Sequence, residues 1–320
     1  MKNLLVTGAA GFIGAALAKR LLEEGHHVMT VDNLSTGFIE NIPNGCEYII
    51  GDLHDEAIIR QLSGRCFDVI YHIAGQSGGI TSFDDPLYDM NANITSTLLL
   101  LDYARASGCN RFIYASSMSV YGDGNICPVA EDAILMPKSF YAVGKLASEH
   151  YMRLFSTLGI KATALRLNNI YGPGQNMANT KQGMASIYME QALRDKHIHS
   201  LGSKERFRDF VYIDDAVTSF IVAGEGQEED AYNIYNVATG IKTTVESLVE
   251  KIRNALPFDV SVEYRGETPG DQFGIYCDYS RIAHALGWEP KIDLTTGINK
   301  MIKWAIARNE CDNDIARKLD

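Results

Sequence analysis

Residues 4–14 read Leu-Leu-Val-Thr-Gly-Ala-Ala-Gly-Phe-Ile-Gly: an apolar run, glycines at positions 8, 11 and 14, and then the start of an apolar helix. No other segment restricts the fold as strongly. Gly8 permits a tight turn, Gly11 has no Cβ to hold a ligand away from the backbone, and Gly14 lets helix and strand pack closely. The helix that follows offers free N–H groups and the positive end of its dipole to an anion. A second apolar run, from Val28, ends in Asp32 about 20 residues past the glycines, where a carboxylate can hold ribose hydroxyls. The combination predicts a dinucleotide site. A carboxylate at Asp32 would repel a 2′-phosphate, so NAD is expected over NADP. Asp52 and Leu53, at the end of the third apolar run, are placed to flank an adenine.

The first half alternates strand-like and helix-like stretches. Apolar runs at 4–7, 28–32, 48–51, 69–74, 111–116 and 163–167 are separated by helical patterns at 12–24, 56–63, 87–107 and 140–158. Repeated strand–helix–strand units mean a parallel sheet covered on both faces. The predicted fold class is α/β: a Rossmann-type doubly wound parallel sheet with a smaller mixed α/β C-terminal substrate lobe. After about Ile170 the rhythm changes at Gly172-Pro173-Gly174, a turn sequence. Residues 1–170 are therefore read as the dinucleotide-binding domain and 171–320 as the substrate lobe, with a segment of about 205–240 returning to the first domain.

A formal net charge of -11 over 320 residues argues against a nucleic-acid partner, which needs clustered Lys and Arg. Six scattered cysteines without a Cys-x-x-Cys pair fit reduced thiols, not a disulfide framework or a zinc site. The histidines show no His-x-x-x-His spacing, and no metal is expected. The chain shows no signal-peptide layout at its start and no apolar run near the ~18 residues of a membrane span. A cytoplasmic enzyme without membrane contact is the expectation.

Tyr141 and Lys145 stand at i and i+4, on one face of a helix that Ser139 can cap. A phenol is a poor base at neutral pH, but a neighbouring ammonium and a positive nicotinamide ring both favour phenolate. The upstream run Phe112-Ile113-Tyr114-Ala115-Ser116-Ser117 ends in hydroxyls at the C-terminal edge of the sheet, where open α/β folds bind ligands. Ser117 is placed to orient a substrate hydroxyl.

Several motifs follow in a fixed order. They are Thr7 to Gly14, Asp32-Asn33-Leu34-Ser35-Thr36-Gly37, Gly51-Asp52-Leu53, His72-Ile73-Ala74-Gly75-Gln76, Asn93 and Ser116 to Gly122. The Tyr141/Lys145 pair, Leu165 to Gly174 and Arg208 to Asp215 complete the set. In this order the chain resembles, along nearly its whole length, the extended short-chain dehydrogenase/reductase family, especially its nucleotide-sugar epimerases of the UDP-glucose 4-epimerase type. The resemblance implies that Tyr141 is the base or acid, that Lys145 binds the nicotinamide ribose and tunes Tyr141, and that Ser117 orients the sugar hydroxyl. It implies cofactor contacts at Gly8, Gly11, Phe12, Ile13, Gly14, Asp32, Asn33, Ser35, Thr36, Gly37, Asp52 and Leu53. Further cofactor contacts are implied at Ile73, Ala74, Gly75, Gln76, Asn93, Ser116, Tyr141, Lys145 and Asn168. Substrate contacts are implied at Ser117, Asn169, Gln182, Arg208 and Asp271, with Asn169 and Arg208 on the diphosphate; the alternative for Arg208 is a surface pair with Asp209 or Asp214.

Two positions depart from the family pattern. The arginine that relatives carry just before a Gly-Asp pair is absent from Glu267-Thr268-Pro269-Gly270-Asp271, with Arg265 only a displaced candidate. Asn168 stands where many relatives place an aromatic residue beside the nicotinamide. The residues after Ser117 are Met118 and Ser119, not the Asp-Glu pair of dehydratases or the glutamate of decarboxylating relatives. The resemblance thus implies NAD-dependent epimerisation of a nucleoside-diphosphate sugar at C4, with a UDP-sugar as the expected substrate, through a transient 4-keto form. The alternatives are a 4-reductase or 4-dehydrogenase with net NAD(H) turnover, and a non-catalytic NAD-binding scaffold. Members of the family dimerise through a four-helix bundle. Here its helices would be 91–107 and 139–158, with Leu98, Leu101, Ala147 and Met152 supplying the apolar surface unless they face the sheet instead.

Overall fold

The computed structural model describes residues 1–180, 182–226, 230–266 and 272–319, with side chains as far as Arg308. Among these residues, seven strands form one parallel sheet: β1 (Asn3–Thr7), β2 (His27–Asp32), β3 (Glu47–Ile50), β4 (Val69–His72), β5 (Arg111–Ser117), β6 (Lys161–Leu167) and β7 (Tyr232–Val237). Their spatial order is β3-β2-β1-β4-β5-β6-β7. The order reverses between β1 and β4, and ligands of open α/β sheets bind outside the carboxyl ends at such a switch. Thr7 pairs with both Val31 and His72, and Ser117 with Leu167, so the carboxyl ends of these strands finish at one edge.

The sheet is buried on both faces because side chains alternate along each strand. In β1, Leu4 and Val6 enter one core and Leu5 the other. The first core takes in helix α1 (Phe12–Glu23) through Leu17 and Leu21, and it continues into the C-terminal half through Met189, Leu248, Ile252 and Ile302. The second core packs Leu100 and Leu101 of α2 (Ser96–Ser107) and Met152 of α3 (Phe140–Ser156) against the opposite face. The C-terminal half adds α4 (Met184–Asp195), α5 (Ile213–Glu225), α6 (Val245–Ala255) and α7 (Leu294–Leu319). Two short parallel pairs, Asn169–Tyr171 with Phe210–Tyr212 and His197–Leu201 with Ser261–Arg265, accompany them. Helix α5 packs on α1 and the sheet, and β7 extends the sheet beside β6.

Some elements differ from the sequence reading. The apolar run at 48–51 is an edge strand, not a buried one: β3 has a strand neighbour on one side only, and Tyr48 and Ile50 stay exposed. The helix expected over 56–63 stops at Arg60, and a short helix, Gly79–Asp84, had no periodicity long enough to show. The helix expected over 87–107 is three pieces. Pro86–Met90 leads into a wider π-type turn, Asn91–Thr95, before α2 begins. Such turns re-aim side chains and gather at functional sites; this one carries Asn93. No helix among the described residues is long and apolar enough to cross a membrane.

Candidate active site

The carboxyl edge of the sheet opens into a cleft of about 460 Å³, within the range of small-molecule sites. At one end stands the β1–α1 turn. Gly8 has φ +78°, and a Cβ there would lie 2.8 Å from the Ala74 nitrogen; a Cβ on Gly14 would collide with the Gly8 carbonyl oxygen. Gly11 is the N-cap of α1, and no side chain caps that helix's first turn. Its N–H groups are therefore left to an anion, as a pyrophosphate requires. The Asp32 carboxylate, nearly buried at the end of β2, accepts from the Ala10 nitrogen at 2.9 Å and the Leu34 nitrogen at 2.8 Å. Each oxygen keeps a lone pair for a hydroxyl. Asp52 receives the Asn33 amide at 3.0 Å. The donor set fits a dinucleotide.

At the other end the strand edge and α3 meet. Ser139 caps α3 by accepting from the Ala142 nitrogen at 3.2 Å, which starts the helix so that Tyr141 and Lys145 share its inner face. Lys145 Nζ donates to the Ala115 carbonyl at 2.9 Å, and lies 4.7 Å from the centre of the Tyr114 ring and 5.7 Å from that of Tyr141. Burial pushes the ammonium down to about 8, with Asp89 and Glu149 pulling the other way. Burial pushes the Tyr141 phenol up to about 12, Asp89 adds to the rise, and a hydrogen bond from Ser117 opposes it. The proton on Tyr141 is therefore held by its surroundings, and hydrogen bonding from Ser117 is what favours its release. Lys145 is tied to β5 instead of the phenol oxygen. The Ser117 hydroxyl also accepts from the Ser119 nitrogen and hydroxyl at 3.2 and 3.0 Å. Ser116, by contrast, donates to Glu149 at 2.5 Å, and Glu149 forms a buried, two-pronged pair with Arg166 at 2.9 and 2.7 Å.

Of the site residues expected from the sequence, all the described ones line this cleft except Asn93 and Arg208. Asn93 is buried behind Gly75: a Cβ on Gly75 would lie 2.6 Å from Asn93 Oδ1 and 3.4 Å from Lys145 Nζ. Arg208 is buried too, donating to the carbonyls of Phe207, Gln272 and Phe273 at 2.7, 2.8 and 3.3 Å. Its neighbour Gln272 reaches the cleft wall in its place. Asp271, with the whole segment 267–271, lies outside the described residues. Asn169 and Gln182 line the cleft, the latter hydrogen-bonded to Ser77 at 2.8 Å. Asn168 also lines it, donating to the Val237 carbonyl at 3.2 Å.

Sequence reasoning missed two contributors. The wall between Tyr141 and Gln182 is rich in carboxamides, with Gln175, Asn176, Asn179 and Gln272 beside Asn168 and Asn169. Neutral amides both donate and accept, which suits sugar hydroxyls. Scattered Asn and Gln carry no periodicity, so nothing in the sequence marked them. Asp89 is the second. It is 1% exposed and accepts from Gln76 at 2.8 Å and from Asn93 at 3.1 Å. Asp89 and Asn93 are spaced as a same-face pair, but nothing local in the sequence marks that face as buried.

Residues 4–238 match the model of the NAD dependent epimerase/dehydratase family. The chain belongs to this family. The UDP-glucose 4-epimerase of Mycolicibacterium smegmatis is 33% identical over 311 residues, 94% of this chain and 97% of that one. A crystal structure of UDP-glucose 4-epimerase with UDP-glucose from Thermotoga maritima superposes with a TM-score of 0.92 at 32% identity, over 96% of this chain and 99% of that one. The Thermus thermophilus UDP-glucose 4-epimerase complex with NAD gives 0.86 at 30% identity, over 94% and 98%. The likeness extends past the matched residues, so the C-terminal half belongs to the shared architecture and is not an addition to it.

Proposed function

We propose that this chain inverts C4 of a UDP-hexose, with NAD as its cofactor. One observation carries the reading: the Ser117 and Tyr141 hydroxyls and the Lys145 ammonium line the same cleft as the glycine turn and Asp32. The glycine turn, the start of α1 and Asp32 would hold the dinucleotide. The chemistry NAD supplies when bound is reversible hydride transfer at the sugar carbon, through a transient 4-keto form.

The chain's own residues handle position and protons. Tyr141 takes the proton of the C4 hydroxyl and returns it after inversion. Ser117 holds that hydroxyl against the phenol and, by hydrogen-bonding the phenol, favours its ionised state. Lys145 adds a positive charge beside the ring without touching the phenol oxygen. The carboxamide wall meets sugar hydroxyls on either face, which an epimerase needs because its sugar must be held in two orientations. Asn169 and Gln182 stand on this wall, Asn169 proposed towards the diphosphate, and Asp271 is kept as a proposed substrate contact; Arg208 is held by three backbone carbonyls and reaches the wall only through Gln272. We place the reaction in the cytoplasm, where thiols such as Cys46, Cys66 and Cys127 stay reduced.

Incubating the purified chain with UDP-glucose or UDP-galactose and following products by NMR tests this. Interconversion without added NAD and without net NADH change is expected. Turnover that consumes NADH stoichiometrically would mean a 4-reductase instead.

The partner we propose is a second copy of the chain, joined through a four-helix bundle. Leu101 and Met152, two of the side chains expected on that surface, are fully buried against the sheet. The outer stripe is made by others. Phe140, Val143, Tyr151 and Leu154 follow one face of α3, Leu87 and Met90 stand on the neighbouring helix, and all are exposed. Phe83 stacks edge-on against Phe140 at 5.4 Å and extends the patch. Contiguous exposed apolar area on two helices packed against each other is what a self-complementary interface offers.

A further inference from the structure

Asp89 is a carboxylate without a direct ion pair: burial raises its pKa, while Gln76, the charge of Lys145 and Asn93 pull it back down. It is 1% exposed, and among the described residues no cation lies within ion-pair distance of it. Its donors are two carboxamides, Gln76 from the loop after β4 and Asn93 from the π-type turn. A buried charge without a partner is costly, and an apolar residue of similar size would pack there at less cost. Its surroundings account for the charge. Oδ2 lies 3.5 Å from where a Cβ on Gly144 would be, so the carboxylate presses against the backbone of α3 between Tyr141 and Lys145. Asn93 donates from the same amide nitrogen to the Gln76 carbonyl at 3.0 Å, which leaves Asn93 Oδ1 turned towards Gly75 and Lys145 without a partner among the described residues.

We propose that Asp89 is a positioning residue for the reaction: its carboxylate supplies the negative charge that balances Lys145, and it orients the Asn93 amide beside that ammonium. The inference rests on reading Tyr141 and Lys145 as the proton-handling pair. The groups that face them can be enumerated. Glu149, one turn further along α3, acts on Lys145 with the same sign as Asp89. Tyr114 of β5 lies beneath Lys145 with a neutral phenol, raised by burial. His72 of β4 is pushed down to about 3 by burial and by Lys145, and is neutral. Ser117 hydrogen-bonds Tyr141. Asp89 is the one charged group among them that acts on both Tyr141 and Lys145.

The sign of its action is definite. A nearby negative charge favours the protonated ammonium and disfavours the phenolate, so it raises both groups. Asp89→Asn keeps the shape and removes the charge, and both groups must then lose protons at lower pH. The measurement is the ultraviolet phenolate titration of the holoenzyme, with Tyr141 isolated as the difference from Tyr141→Phe. Its midpoint is expected about one pH unit lower in Asp89→Asn. Both limbs of the kcat/KM pH profile should move the same way, while Asp89→Glu keeps them in place. A loosened active site would scale the profile down without displacing it. An unmoved or alkaline-shifted phenolate midpoint overturns the proposal. Asp89→Ser, which leaves room for water, carries the same measurement if Asp89→Asn does not fold. The titration needs no turnover. A chain inert towards every nucleotide sugar, yet with a displaced phenolate, would sink the proposed function and leave the role of Asp89 standing.

Discussion

Lys145 Nζ sits 5.7 Å from the centre of the Tyr141 ring and is tethered to the Ala115 carbonyl at 2.9 Å. The two side chains share a helix face but not a hydrogen bond, and it is Ser117, not Lys145, that lowers the phenol against the rise caused by burial. Their replacements should therefore differ. Tyr141→Phe removes the group that exchanges the substrate proton, and turnover should fall about 10²–10⁴-fold, with retained NAD unchanged in the absorbance of the purified protein. Lys145→Ala should lower both turnover and NAD retention. Undiminished turnover in Tyr141→Phe refutes the assignment.

The glycines of the β1–α1 turn can be separated by what a methyl group meets. On Gly14 it runs into the Gly8 carbonyl, so Gly14→Ala must displace α1 from β1 and should destabilise the whole chain. On Gly11, with φ -87°, the backbone is unstrained and the nearest atom outside its neighbours is the Gly8 oxygen at 3.3 Å. Gly11→Ala should keep its melting temperature within a few degrees of the parent's, while dinucleotide affinity falls at least tenfold in a calorimetric titration. Equal loss of stability in both variants would contradict this division of roles.

How far the sequence carried the fold follows from the range of the forces involved. The order of strands and helices from Asn3 to Leu167 could be read because buried parallel strands and amphipathic helices print their periods locally. The cleft could be read because its glycines, Asp32, Ser117, Tyr141 and Lys145 sit at fixed offsets from strand ends. Arg208 could not. Its fate depends on the carbonyls of Gln272 and Phe273, more than 60 residues away. Asp89 was hidden because an acid in a helical stretch looks like a solvated face until the fold buries it. The same holds for Leu101 and Met152: an apolar residue at helical spacing gives no hint of whether a sheet or a second copy covers it.

Glu149 and Arg166 link α3 to β6 beneath the site, both almost fully buried, with Ser116 and Tyr121 completing the network. Taking one partner away leaves the other charge stranded in the interior. Either Glu149→Gln or Arg166→Met should cost about 3–5 kcal/mol, read as a lower midpoint in urea. A loss under about 1 kcal/mol would mean that water reaches the pair.

His72 gives the chain a specific acid sensitivity. Thr7 Oγ1 accepts the Ile73 and Ala74 nitrogens at 3.1 Å, so its hydroxyl donates to Nδ1, and Nε2 carries the hydrogen towards Thr97. Burial and then Lys145 push this imidazole down to about 3. The unfolded chain therefore takes up the proton first. His72 costs nothing above about pH 6.5, and as pH falls towards 3 it removes stability at about 1.4 kcal/mol per pH unit. Between pH 6.5 and 5 that is roughly 2 kcal/mol, which urea titrations of the parent should show in excess of His72→Asn. Parallel pH dependence in the two proteins would mean that His72 is protonated in the folded state.

The outer stripe of α3 can be tested without touching the cleft. Val143 and Leu154 are exposed, stand on the same helix face and line no part of the active site. In a two-fold dimer each side chain is buried twice, once from either copy. Replacing one such apolar residue by a charge should therefore forfeit about 4 kcal/mol, on the order of a thousandfold in dimer affinity. Sedimentation velocity of Val143→Glu and Leu154→Glu should show monomers at concentrations where the parent is a dimer, with the melting transition of the isolated subunit retained. The two variants probe different ends of one stripe, so an interface that uses α3 must respond to both. A parent that sediments as a monomer, or variants that remain dimeric, would place any self-association on another face and leave this stripe to another partner.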